Sequence, residues 1–371
     1  MKALIGILFL LACSISSFAQ KQIIVQNPSA HARKELIAIP FEKFKTSFSV
    51  DTVFSIWDEQ GNELPHQLEK LGQSSPQNVL ILVDLKAKEK VKLSVSGTSG
   101  KVYPARTYAR YVPERYDDFA WENDVVAFRM YGKALEGRPD DAQGMDYWAK
   151  RTDKLIIDAW YKSGDYHKDH GEGLDYYSVG QTLGMGDMAF YPEGKIHYSK
   201  HYRSFKLLDN GPLRSTFLLI YEPENIQGQQ IRFQKQISLD AGSHFNRIEL
   251  SMHNASTANT PFVIGLAKRK EKEPLFLLGK GNRSLSYWEP EINKSGRTGV
   301  AIIIPDQKVE FINDRPEQFL LLSKAKNNRP FVYYNGATWN RAGKITDEKA
   351  WAKAVESEKE KIEKPIKVTV K

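Results

Sequence analysis

Between Trp160 and Arg203 the chain reads WYKSGDYHKDHGEGLDYYSVGQTLGMGDMAFYPEGKIHYSKHYR, and four of its eight histidines, His167, His170, His197 and His201, fall there. Histidine exchanges a proton near neutral pH, so a stretch that sets histidines among tyrosines and acids is suited to general acid and base work. His167, His170, His201, Tyr176 and Tyr177 are the candidate acids and bases. The chemistry this mixture fits is removal of a proton beside a carboxylate. That proton becomes labile only when the carboxylate charge is neutralised, because the enolate-like transition state is otherwise a dianion. Lys150, Arg151, Lys200 and Arg203 are candidate neutralisers, and Glu172, Asp175, Tyr202 and Trp339 are candidate substrate contacts.

Other chemistries use the same residues. His167-x-x-His170-x-Glu172 has the composition of a metal-ligand run, but the zinc spacing on a helix needs a helix, and Gly171 and Gly173 oppose one. Asp169, Glu172 and Asp175 lack the alternating pattern of a calcium loop. The expectation is therefore metal-free chemistry with no cofactor. Glycoside hydrolysis would draw on Glu136, Asp146, Glu172, Asp175 or Asp187, whose separations the sequence does not give. Tyr176 and Tyr177 also suit sugar stacking or ordinary sheet packing. His244 and His253 stand in strand-edge contexts and read as structural.

Glycines 171, 173, 180, 184 and 186 exclude a stable helix from the central stretch, so it reads as a long loop between strands. Around it the chain alternates apolar and polar residues in short runs with turn punctuation, from KQIIVQ and ELIAIP to IRFQKQISL and FNRIELSMH. Many strands without intervening helices imply stacked antiparallel sheets. The expected layout is all-β: a small N-terminal β-sandwich over 20–100, then a large antiparallel β-supersandwich over 101–371, galactose-mutarotase-like, carrying the loop. One helix is expected from Asp347 to Ile362, followed by a last strand in IKVTV. The segment Tyr333 to Trp339 reads as aromatic surface on a glycine-containing turn.

The formal net charge is +8 over 371 residues, but the cations are scattered, without a basic helix or an RNA-binding motif. Nucleic acid is not the expected partner, and an anionic oligosaccharide is. The start, Met1-Lys2 followed by an apolar run to Ala12, has the form of a secretory signal over 1–19 cleaved after Ala19, with no transmembrane segment. An exported protein, periplasmic or secreted, follows; the alternative is a lipoprotein anchored through Cys13. Cys13 is the only cysteine, so no disulfide is available.

The GKALEG and MDYWAKR motifs, the DYHKDHGEGLDYYSVG loop and the terminal YYNGATWN together resemble a family of unknown function among secreted Bacteroidota proteins that accompany polysaccharide utilisation. The resemblance spans nearly the whole chain after the leader and includes an oligosaccharide dehydratase acting on ulvan fragments. It implies removal of water across C4–C5 of a non-reducing-end uronic acid, leaving a 4,5-unsaturated uronate. The alternatives are a polysaccharide lyase or glycoside hydrolase of the same pathway, or a non-catalytic glycan-binding protein.

Overall fold

The computed structural model describes residues 21–305, 307 and 309–371. The expected leader, its cleavage site and Cys13 lie outside the described residues. The chain is predominantly β, in several antiparallel sheets. No helix among the described residues is long and apolar enough to cross a membrane.

The largest sheet has nine strands, and its central Gln229–Asp240 shows why it forms: Ile231, Phe233, Ile237 and Leu239 recur with period two and are buried. Its inner face meets a four-stranded sheet containing Met185–Phe190, Asn259–Ala267 and Gln318–Lys326. Rings interlock across the gap: Phe190 meets Phe233 edge-on at 5.2 Å, and Phe262 meets Phe331 at 4.9 Å.

A five-stranded sheet, in the order Gly173–Leu174, Met145–Lys150, Ala127–Met130, Asp118–Asn123 and Thr107–Val112, extends this body. Its two faces differ. Phe119, Trp121, Phe128 and Tyr147 point into the main core. The residues between them, Ala120, Ala127 and Trp148, face the other way, under a helix.

The N-terminal strands form two small sheets around Ile23, Val25, Ile37, Ile39, Val79, Ile81 and Leu93. The final strand, Lys367–Val370, was expected to pair but without a named partner. It lies antiparallel to Ile23–Gln26, with Ile23 opposite Val370, and so joins the sheet that opens the chain.

The helix Glu348–Glu363 matches the expected one. Asp347 accepts from the Ala350 N–H at 2.9 Å as its N-cap, and Trp351 stacks on Phe245 at 5.5 Å. Two short helices were not expected. Phe41–Phe48 buries Phe41 and Phe44, and Ile157–Ser163 buries Ile157, Trp160 and Tyr161 before Gly164 ends it with φ +68°. The second is a correction to the central loop, whose first residues belong to that helix. Inside the loop, Gly173–Leu174 and Met185–Phe190 are strands as well. Tyr333 to Trp339 is also corrected: it lies within the strand Phe331–Trp339, not on a turn.

Candidate functional site

The outward face of the five-stranded sheet holds a buried arginine. Register places Arg129 opposite Asp146 on one side and Ala120 on the other, so Arg129 and Asp146 project from the same face. Asp118, two residues before Ala120, shares that face. The Arg129 Nε donates to Asp146 Oδ2 at 2.7 Å, and its Nη2 donates to Asp175 Oδ2 at 2.9 Å. Nη1 lies 3.6 Å from Asp118 Oδ2. Aromatic rings close the box, with the guanidinium 5.2 Å from the centre of Tyr131, 5.5 Å from Trp148 and 5.9 Å from Tyr166. Tyr131 donates to Asp146 at 3.0 Å, and Tyr161 donates to Asp118 at 3.1 Å.

Three carboxylates share one guanidinium in a site that excludes water, so they do not all stay ionised. Burial, against the pull of Arg129, pushes Asp118 up to about 6. Burial and the neighbouring Asp146 push Asp175 well above the usual carboxylate range. Burial pulls Arg129 down, but Asp146 and Asp175 outweigh it and hold the guanidinium above its ordinary value. The box therefore combines a permanent cation with two carboxyls, those of Asp118 and Asp175, that hold their protons to higher pH than usual. Among the described residues, Nη1 of Arg129 and Nε1 of Trp148 have no hydrogen-bond partner.

His167 stands at the rim of this box. Its Nδ1 lies 3.0 Å from the Asp175 carbonyl oxygen, which can only accept, so Nδ1 carries the hydrogen and Nε2 keeps its lone pair. The side chain is 63% exposed, and its ring lies 4.6 Å from that of Tyr166. His170, on the same loop and 58% exposed, meets Asp165 Oδ2 through Nε2 at 3.0 Å. Arg151 straps the loop to the sheet: Nε donates to the Gly171 carbonyl at 2.9 Å and Nη2 to Asp169 at 2.6 Å, while the guanidinium sits 5.2 Å over the Trp339 ring. Gly173 makes the turn possible. Its φ is +124°, and a Cβ there would lie 1.9 Å from the Ala149 carbonyl oxygen.

The expected site residues thus divide. His167 and Asp175 are brought together, and His170, Arg151 and Glu172 lie on the same loop, Glu172 in a bond from Lys154 Nζ at 2.7 Å. Asp175 is corrected from substrate contact to buried partner of Arg129. Lys150 is corrected too. It is 1% exposed, and its ammonium donates to Glu122 at 2.8 Å and to the carbonyls of Asn123 and Lys154 at 2.7 Å, which uses all three hydrogens.

Trp339, 1% exposed with its indole N–H on the Ser295 carbonyl, is no open sugar platform. Tyr202 is buried, with its hydroxyl on the Asp117 carbonyl at 2.5 Å. Arg203 is held by Glu136 at 2.7 Å and Glu222 at 3.1 Å. His201 is buried against Asp141 at 3.0 Å, and its ring lies 6.4 Å from that of Tyr131, through which it adjoins the box. Tyr176 and Tyr177 turn the other way: Tyr176 shares a 2.6 Å hydrogen bond with Thr298, and Tyr177 lies beneath Arg269. His244 is buried with Nδ1 3.0 Å from the Ala337 carbonyl, in a structural setting, whereas His253 is exposed.

Arg129, Asp118 and Tyr131 were not singled out in the sequence, although an arginine between Phe128 and Met130 in VVAFRMY was the available signal.

Comparison with known proteins agrees with this architecture. A protein in the glycosyl hydrolase family 38 from Enterococcus faecalis shares the fold with a TM-score of 0.51 at 9% identity. The match covers 95% of this chain and 47% of that one, so this chain spans about half its length. An "uncharacterized protein P7" from Formosa agariphila is 32% identical over 282 residues, 71% of this chain and 69% of its own. Residues 25–368 match the family described as domain of unknown function DUF4861, and the chain belongs to that family.

Proposed function

We propose that the protein is a carbohydrate-active dehydratase that eliminates water across C4–C5 of a terminal uronic acid in an anionic oligosaccharide. The observation that carries this reading is His167. Its Nδ1 hydrogen is committed to the Asp175 carbonyl, which leaves Nε2 as the base on a side chain that is 63% exposed beside the Arg129 box. In the reaction the C5 hydrogen passes to Nε2 of His167. The electron pair left on C5 becomes the C4=C5 bond as the C4–O bond breaks, and the departing hydroxyl takes a proton to leave as water. His170 is the acid for that step, with its ring oriented by the 3.0 Å contact between Nε2 and Asp165 Oδ2.

Arg151 supplies the cation for the substrate carboxylate. Its Nε and Nη2 are engaged, and Nη1 makes no hydrogen bond among the described residues. Such a cation offsets the second negative charge of the enolate-like transition state. A fold shared with a protein of a glycosyl hydrolase family and the resemblance of the loop to polysaccharide-utilisation proteins support sugar as the substrate class.

Uronate oligosaccharides incubated with the protein are expected to gain near-ultraviolet absorbance and lose the mass of one water. His167→Ala should lower turnover roughly 100-fold or more without a change in melting temperature, because the side chain is mostly exposed. Chain cleavage without absorbance would replace this reading with hydrolysis, and binding with neither change would replace it with a glycan-binding protein.

A further inference from the structure

Tyr166, whose ring lies 4.6 Å from that of His167 and 5.9 Å from the Arg129 guanidinium, carries a further contact at its hydroxyl. Arg115 donates to it from Nε at 3.0 Å. Arg115 is half-buried and ends the short turn of helix Pro113–Arg115 that follows the strand Thr107–Val112. Its guanidinium lies 4.8 Å from the centre of the Tyr116 ring, and Arg138 approaches the same ring at 3.8 Å.

The backbone beneath this pair of cations is strained and firmly held. Tyr116 and Asp117 have φ of +50° and +63°, a region that residues other than glycine rarely enter. Tyr202 donates to the Asp117 carbonyl at 2.5 Å, and Tyr111 donates to the Asp117 carboxylate. Gly132 makes room for that carbonyl, which a Cβ would meet at 1.8 Å. Strain of this kind, fixed by its surroundings, clusters at ligand-binding positions.

With Nε given to Tyr166 and one face on Tyr116, Arg115 keeps the edge that carries Nη1 and Nη2. Neither nitrogen has a hydrogen bond or an ion pair among the described residues, and neither is closed to solvent. The carboxylates around it are already engaged: Glu114 by Arg110 at 2.7 Å, Asp140 by Arg138 at 2.9 Å, Asp165 by His170 at 3.0 Å, and Asp118 by Arg129 at 3.6 Å. A free guanidinium edge presents two parallel N–H donors, which match a pair of oxygens on a carboxylate or a sulfate ester. Arg151 meets the loop at Asp169 and Gly171, after His167, whereas Arg115 meets it at Tyr166, before His167. The two guanidiniums therefore bracket His167 along the loop.

We propose that Arg115 binds the anionic group, a carboxylate or a sulfate ester, of the sugar unit adjoining the one on which His167 acts, and so selects oligosaccharides charged on two neighbouring units. The position of the reacting unit rests on the dehydratase reading, and the preference for a second anion does not.

The test is calorimetric binding to the full chain in a His167→Ala background, which prevents turnover. Three disaccharides share a non-reducing-end glucuronate, and their second unit is glucose, a second glucuronate, or glucose bearing a sulfate ester. At least one dianionic disaccharide should bind about tenfold or more tightly than the one ending in glucose, and which of them does so separates carboxylate from sulfate. Adding Arg115→Gln should abolish that preference and leave affinity for the disaccharide ending in glucose unchanged. Arg115→Lys keeps the charge without the paired donors and decides the matter if the Gln variant does not fold; it should weaken the preference by about threefold or more. No preference in the parent, or an undiminished preference in either variant, would overturn the proposal. Equal weakening of all three disaccharides in Arg115→Gln would also overturn it and would assign Arg115 to the reacting uronate. Elimination by the wild type is measured separately: its absence would remove the dehydratase reading while the anion preference stood, and absence of the preference would leave elimination untouched.

Discussion

Replacing Lys150 with Met separates a structural lysine from a substrate-binding one. The ammonium and the Glu122 carboxylate are both fully buried, and the lysine also holds the Asn123 and Lys154 carbonyls. Glu122 has a second task, because its Oε1 accepts the Ile157 N–H at 2.7 Å where the helix Ile157–Ser163 begins. Without the ammonium, Glu122 would be a buried charge with only the backbone N–H groups of Ile156 and Ile157 beside it. Burial already pushes its carboxyl up even with Lys150 present, so in the variant it takes a proton instead. From an ordinary pKa near 4.5, protonation at pH 7 costs about 3.4 kcal/mol, which caps the electrostatic part of the loss. The two orphaned carbonyls add about 1 kcal/mol each, offset in part by burial of the apolar Met side chain.

The expected loss at pH 7 is therefore about 3–5 kcal/mol, the range for breaking a buried ion pair. At about 2.1 cal/mol/K per residue over roughly 350 residues, this lowers the melting temperature by about 4–7 °C. The loss should shrink by about 1.4 kcal/mol for each pH unit from 7 toward 5, because the carboxyl protonates more cheaply there. Lys150→Met combined with Glu122→Gln should recover at least half of it. Scanning calorimetry of the two variants and the wild type between pH 5 and 7 measures each of these. A Lys150→Met protein with wild-type melting temperature and abolished turnover would refute the argument and return Lys150 to the substrate.

The remaining predictions concern the box, the loop and the last helix. Asp118 is raised from about 3.8 unfolded to about 6 folded, so its contribution is complete below pH 4 and lost as pH rises through 6. Denaturation curves of Asp118→Asn should gain about 3 kcal/mol on wild type between pH 4 and 7, and parallel curves would count against a protonated Asp118. Gly173→Ala forces a Cβ onto the Ala149 carbonyl oxygen and should release the loop from the Met145–Lys150 strand. Hydrogen exchange over 165–175 should accelerate and turnover should fall, whereas unchanged exchange would contradict this. Asp347→Ala removes the cap of the helix Glu348–Glu363 and should cost about 1 kcal/mol in denaturant titration, with turnover retained.

Features under short-range control were legible in the amino-acid sequence. Alternation in runs such as IRFQKQISL fixed their strand state and the buried face, because the pleat puts successive side chains on opposite sides. Asp347 and the spacing of Trp351 and Val355 specified the helix, and the glycines kept 165–175 out of one. Two short helices escaped: Phe41–Phe48 and Ile157–Ser163 each present barely two turns of periodicity, too few to stand out.

The partners of the charged residues were decided only by tertiary structure. Lys150 and Arg151 are adjacent cations in the sequence, yet the pleat sends one into Glu122, 28 residues away, and leaves the other to strap the loop. Arg129 meets Asp146 through strand register and Asp175 through a loop that returns after 46 residues. Alternation tells which residues share a face, but a charge on that face looks the same whether water or three aspartates will cover it. What covers it is set by which distant segments fold onto the sheet, and so the Arg129 box and the free edge of Arg115 appear only in the assembled chain.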